Sequence, residues 1–234
     1  MKRQIPNIIT CCNLICGCIA IHAALAGDMT HSFLFIIMGA VFDFFDGMTA
    51  RLLHVSSPIG KELDSLADVV TFGVAPTMMV FHMMHVATVP AWMGGSVPIA
   101  TRLLPYLVFV MAGFSAYRLA KFNLDERQST SFIGLPTPAN ALFWGALIVG
   151  GSEHIVNQPY AYPLILVLVT LSCWLLVAEL PLFALKFKQW GWRGNELRYS
   201  FILVSAALII LLGIVALALI VVLYIIISLF TQRR

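Results

Sequence analysis

The stretch FDFFDGMTARLLHVSSPIGKELDSLADVVTFG, residues 42–73, sets four aspartates, Asp43, Asp46, Asp64 and Asp68, into two segments otherwise apolar enough for a membrane. Asp43 and Asp46 are three residues apart and Asp64 and Asp68 four apart, spacings that place each pair on roughly one face of a helix. Between the pairs, RLLHVSSPIG reads as a turn, with Ser56 or Ser57 suited to cap the second helix and Pro58 to its first turn. Counted from Ser56, Asp46 lies ten residues back and Asp64 eight forward, so in an antiparallel helix pair the two acidic pairs meet at similar depth. Carboxylates converging at low dielectric must protonate, pair with cations or bind metal. Oxygen ligands favour hard ions such as Mg²⁺, Mn²⁺ or Ca²⁺. Ion pairing with Arg51 or Lys61 at the membrane interface is the ordinary explanation for one such acid, but four in this register point to a site.

The rest of the chain supports the membrane reading. Sixty per cent of the 234 residues are apolar, 11% are charged, and the mean hydropathy is +0.93. A bilayer core about 30 Å thick takes roughly 20 apolar residues per helix. Runs of that kind lie near residues 6–26, 31–52, 61–86, 103–121, 136–151 and 160–180, followed by a longer run from Tyr199 to Phe230. As one helix that last run of 32 residues would extend about 48 Å, too far for a bilayer without severe tilt, so a turn near Gly213 is expected. The expectation is an all-α polytopic bundle of eight transmembrane helices, with seven as the alternative. Residues 1–234 form one integral-membrane domain with its motif core at 43–68. The first span has no small-residue cleavage site and reads as retained.

Basic residues favour the cytoplasmic side of a membrane. With both termini cytoplasmic and eight spans, Lys2, Arg3, Arg51, Lys61, Arg118, Lys121, Arg127, Lys186, Lys188, Arg193, Arg198, Arg233 and Arg234 fall inside, and only Arg102 outside. The net charge of +3 therefore reflects topology and does not point to a nucleic-acid partner. Cys11, Cys12, Cys16 and Cys18 crowd the first span and Cys173 a later one; thiols in membrane helices are ordinarily small packing groups. The histidines have no ligand-like spacing.

Small residues accompany the acids. Gly47, Ala50, Gly60 and Ser65 leave the backbone open to a ligand, and Arg51 offers a charge for phosphate. Acids, a divalent metal, a basic group and open backbone together make a layout for phosphate transfer, with one or two metal ions.

Taken in register, Asp43, Asp46, Gly47, Ala50, Arg51, Gly60, Asp64 and Asp68 spell DxxDGxxARx₈GxxxDxxxD. This string resembles the signature of the CDP-alcohol phosphatidyltransferases. PNIITCCNL near the start, ELDSLADVVTFGVAP, YRLAKFN at 117–123 and FIGLPTPANA at 132–141 are similar to the membrane-embedded phosphatidylserine synthase branch. The resemblance implies transfer of a phosphatidyl group from CDP-diacylglycerol to the hydroxyl of L-serine, releasing CMP. It implies a metal site of Asp43, Asp46, Asp64 and Asp68 for Mg²⁺ or Mn²⁺, with Ca²⁺ able to substitute in a crystal, and Asp68 as general base. It further implies that Gly47, Ala50, Arg51 and Gly60 contact the CDP moiety, at a site in the cell membrane facing the cytoplasm, in a protein that pairs as a homodimer among membrane lipids.

Asn7 and Thr10 are candidate neighbours of the nucleotide, with helix capping or interhelical bonding as the alternative. Arg118 and Lys121 share a helix face, and with Ser65 are candidates for binding the lipid phosphate or the serine carboxylate. The same chemistry with another acceptor, such as glycerol phosphate, inositol or choline, is the nearest rival. A cation or proton transporter would explain the acids but not the Gly47, Ala50, Arg51 and Gly60 register. Membrane prenyltransferases would need a different acid spacing.

Overall fold

The long apolar run near the carboxyl end breaks at Gly213, whose φ of +60° and ψ of −136° belong to a region L side chains rarely adopt. With that break the described residues hold eight helices, the number expected from the sequence. The computed structural model describes residues 4–55, 57–88, 102–124, 132–182, 191 and 195–231. Its helices are α1 Gln4–Leu25, α2 Met29–Leu52, α3 Pro58–Val86, α4 Val110–Leu124, α5 Thr137–Val156, α6 Ala161–Val177, α7 Glu196–Leu212 and α8 Val215–Thr231. A 3₁₀ segment, Leu104–Phe109, leads into α4. Two short strands, β1 Phe132–Ile133 and β2 Pro181–Leu182, pair antiparallel with Phe132 opposite Leu182. By length and composition α1, α2 and α3 can each cross a membrane, and α6 and most of α8 are shorter apolar helices.

Successive helices run up and down, so alternate loops gather at two ends. At the aspartate end Lys61 Nζ donates to the Asn123 carbonyl at 2.8 Å, and Lys121 Nζ lies 3.2 Å from Glu179 Oε1. At the other end the Thr88 amide donates to the Val156 carbonyl at 2.7 Å, and Gly150 packs against Val215. Arg51, Lys61, Arg118, Lys121 and Arg198 consequently share the aspartate end, while Arg102 precedes the 3₁₀ segment at the other. The remaining lysines and arginines, and Ser56, lie outside the described residues.

The core between α1–α5 and α6 is filled by Phe33, Phe72, Met79, Met83, Met111, Trp144 and Ile165, all nearly inaccessible. Helices α2 and α5 approach closely because Gly145 has no side chain: a Cβ there would lie 2.0 Å from the Phe33 ring. The indole of Trp144 donates to Ser172 Oγ at 3.0 Å, satisfying a buried polar group. The cysteines are free thiols; Cys16 and Cys173 pack inside, whereas Cys11 and Cys18 face outward from α1.

Two local devices aim the acidic segments. Helix α2 ends in a Schellman arrangement, with the Val55 amide donating to the Ala50 carbonyl at 3.0 Å and the His54 amide to the Arg51 carbonyl at 3.2 Å. His54 takes the left-handed conformation, φ +51°, that glycine usually supplies at this position. Ser57 then caps α3, its Oγ accepting from the Gly60 amide at 3.0 Å, with Pro58 in the first turn.

The second device is a π-helical stretch, Val69–Val74, inside α3. Pro76 has no amide hydrogen for the Phe72 carbonyl, and the ladder accommodates by widening, with the Ala75 amide bonding back to Val70.

Candidate active site

Asp43 from α2 and Asp64 and Asp68 from α3 each direct one carboxylate oxygen into a common point, all within 4.8 Å of one another. The antiparallel turn between α2 and α3 creates this convergence, because the α2 terminus and the Ser57 cap hold the helices at matching depth. Asp46 stands beside this trio, not within it. Its Oδ2 lies 2.6 Å from Thr10 Oγ1 on α1. That hydroxyl is also 3.0 Å from the Pro6 carbonyl, so its single proton serves one oxygen at a time.

Three carboxylates this close repel one another strongly in a low dielectric. Oδ1 of Asp64 is buried and has no hydrogen-bond partner. A buried acceptor without a donor, facing two further carboxylates, is the chemistry expected of an oxygen-ligand cation site. The residues fit a divalent metal.

Next to the trio is a cavity of about 270 Å³ lined by Pro6, Asn7, Thr10, Asp46, Gly47, Ala50, Val55, Ser57, Gly60, Lys61 and Asp64. The candidate nucleotide neighbours Asn7, Thr10, Gly47, Ala50 and Gly60 all line it. Arg51 is exposed at the rim, its Nη2 3.8 Å from where a Cβ on Gly47 would sit. At Gly60 a Cβ would come within 3.1 Å of Asn7 Oδ1, so the absence of a side chain keeps the cavity open between α1 and α3.

Lys61, which the sequence marked as a possible ion-pair partner, joins the cavity wall.

The three remaining candidates separate. Arg118 is buried, stacks 5.0 Å over the Phe122 ring and lies close enough to Asp68 to interact electrostatically. Lys121 turns away and pairs with Glu179. Ser65 Oγ accepts a 2.7 Å hydrogen bond from Asn123 Nδ2.

The match to known proteins follows the same residues. The CDP-alcohol phosphatidyltransferase family profile matches residues 3–185, a range that contains the trio, the cavity and Arg118. The chain belongs to the CDP-alcohol phosphatidyltransferase family. A Bacillus subtilis protein named CDP-diacylglycerol–serine O-phosphatidyltransferase is 42% identical over 136 residues, covering 58% of this chain and 70% of the relative. A Methanocaldococcus jannaschii protein of the same name is 31% identical over 167 residues, 71% of this chain and 69% of that one. A Helicobacter pylori relative, also so named, is 34% identical over 139 residues, and the chain spans only 54% of its length.

Within this phosphatidyltransferase, sequence reasoning passed over two buried groups beside Asp68. Asn13 Nδ2 donates to Asp68 Oδ1 at 3.2 Å, and Thr71 Oγ1 donates to the Asn13 carbonyl at 3.0 Å. The only sequence signal for either was a polar residue inside an apolar span, three residues past Thr10 and three past Asp68.

Proposed function

We propose that this chain transfers the phosphatidyl group of CDP-diacylglycerol to the hydroxyl of L-serine, yielding phosphatidylserine and CMP. The observation that carries the reading is the carboxylate trio, which through Asp64 adjoins a cavity walled also by Asn7, Thr10, Asp46, Gly47, Ala50 and Gly60. The names of the relatives favour serine as the acceptor.

In this reading the CDP moiety occupies the cavity against the bare backbone at Gly47 and Gly60, with Arg51 and Lys61 offsetting phosphate charge. Asp68 takes the proton of the serine hydroxyl as its oxygen attacks the phosphatidyl phosphorus; the bond from that phosphorus to CMP breaks, and CMP carries away the electron pair. Asp43, Asp64 and Asp68, with Asp46 alongside, would hold Mg²⁺ or Mn²⁺, which when bound offsets the charge of the pyrophosphate and of departing CMP. Arg118 is the better candidate for the serine carboxylate, since it lies near Asp68 whereas Lys121 is engaged by Glu179 and Ser65 by Asn123.

The clustering of basic residues supports a cytoplasmic aspartate end. Labelling of a Lys61→Cys variant from inside only is expected; labelling from outside only would reverse the orientation.

The deciding experiment is CMP release from CDP-diacylglycerol by purified protein with Mn²⁺ or Mg²⁺, across a panel of acceptors. Release with serine is expected. Release with glycerol phosphate or inositol instead would replace the acceptor, and no release with any acceptor would end the transferase reading.

A further inference from the structure

Asn13 is fully buried in α1 and is not among the residues that line the cavity. Its amide nitrogen lies against Asp68 Oδ1 at 3.2 Å. A carboxylate only accepts, so the nitrogen, not the oxygen, of the amide must face it. The amide oxygen has no hydrogen-bond partner and sits against Gly39, where a Cβ would come within 2.9 Å of it.

The surroundings hold the backbone from which this amide extends. Thr71 donates to the Asn13 main-chain carbonyl from the π-helical stretch that begins immediately after Asp68. Thr71 is itself wedged between two glycines: a Cβ on Gly17 would lie 2.4 Å from its Oγ1, and one on Gly39 2.5 Å from its Cγ2. Three helices thus close on a single contact, the amide of α1 against the acid of α3 over the bare backbone of α2. π-bulges of this sort recur at functional sites, and this one sits at the acid assigned the proton.

An aspartate rotates easily about its last torsion, and a base must keep a lone pair aimed at the hydroxyl it deprotonates. We propose that Asn13, seated by Thr71, is the positioning residue that pins one oxygen of Asp68 so that the other faces the reacting hydroxyl. The inference rests on the reading of Asp68 as general base. An amide suits this task because it is uncharged: it orients the carboxylate without neutralising it, as an ammonium or guanidinium in the same place would.

The test compares wild type with Asn13→Leu, similar in size but without the donor, in the CMP-release assay with whichever acceptor the wild type uses. The expected result is a fall in kcat of about 10- to 100-fold, the scale on which a misplaced reacting group costs rate. The KM for CDP-diacylglycerol should stay within about twofold and the detergent-solubilised Tm within a few degrees, since Asn13 does not line the cavity. Thr71→Val, which keeps the shape and removes the hydroxyl, should lower kcat less and also spare KM. An unchanged kcat in Asn13→Leu overturns the proposal. So does a loss of kcat accompanied by a raised KM and a lowered Tm, the pattern of a merely structural residue. If Asn13→Leu fails to accumulate in the membrane, Asn13→Ser withdraws the same donor in a smaller side chain and is held to the same split. Absence of CMP release by the wild type would instead count against the transferase reading, so the two failures are separable.

Discussion

The seam between α1, α2 and α3 and the hairpin of α7 and α8 are both built largely from apolar sequence, yet they use it in opposite ways. In the seam, Thr10, Asn13, Ser32, Asp46, Asp68 and Thr71 are buried polar groups, and Gly17 and Gly39 bring the backbones close enough to connect them. In the hairpin, Ile210 and Leu211 are 83% and 78% exposed, and Phe201, Ala216, Ala218, Val221 and Ser228 carry most of the inward packing. A buried polar group is costly unless its partner stands in one place. The seam is therefore specified atom by atom, whereas the hairpin need only be oily and of the right length.

Substitutions in the seam should break this contrast most severely at Asp68. Asp68→Asn keeps the shape and removes the proton acceptor, and kcat for CMP release should fall by about 10³-fold or more while nucleotide binding persists. Wild-type turnover in that variant would remove Asp68 from the base role. Gly39→Val comes next. Its side chain would meet Thr71 and Asn13, and a loss of about 1–3 kcal/mol is expected, read as a lower Tm in detergent.

At the edge of the seam, His54→Gly should stabilise by about 0.5 kcal/mol, because glycine relieves a left-handed residue at the end of α2. A fall in Tm would show that the imidazole contributes something the backbone geometry does not reveal.

Asp28, in the turn before α2, provides a pH test outside the membrane. Its Oδ1 accepts from the His31 amide at 3.0 Å, which holds its pKa below the ordinary 3.8. A lowered folded pKa means the cap stabilises fully above the unfolded value and is lost as pH falls through the folded one. The Tm deficit of Asp28→Ala should accordingly be present at neutral pH and close as pH drops below about 4; a deficit independent of pH would assign the effect to something other than the carboxylate. In the hairpin, Ile210→Ala should change stability by less than about 0.5 kcal/mol and leave kcat untouched, and a clear loss of activity there would dissolve the contrast altogether.

The acidic register was legible in the sequence because it is local: offsets of three and four on two helices joined by a short turn leave little freedom. The break at Gly213 was legible from length alone, and Pro58 pointed to a serine cap without deciding between Ser56 and Ser57, of which Ser57 serves. Asn13 and Thr71 were not, since their partners lie 55 and 58 residues away and a polar residue inside an apolar span does not announce whom it will meet. The turn after α2 hid its left-handed position because histidine, not glycine, occupies it. Arg118 and Lys121 share a face by spacing, but packing sends one inward beside Phe122 and the other to Glu179, a divergence set by α6 and the chain beyond it.

Residues 43–46 of helix α2, DFFD, face two environments at once. Phe44 and Phe45 are 67% and 43% exposed on its outer side, while Asp43 converges with the acids of α3 and Asp46 is buried against Thr10. The lipid phase and the acid cluster are thus separated by the width of a single helix, about 10 Å with side chains. A centre so placed meets its lipid by lateral diffusion in two dimensions and its water-soluble reactants in three. Its rate should follow the mole fraction of the lipid substrate in the surface and not its bulk concentration, so inert lipid or detergent added at constant total substrate slows turnover by dilution in the plane.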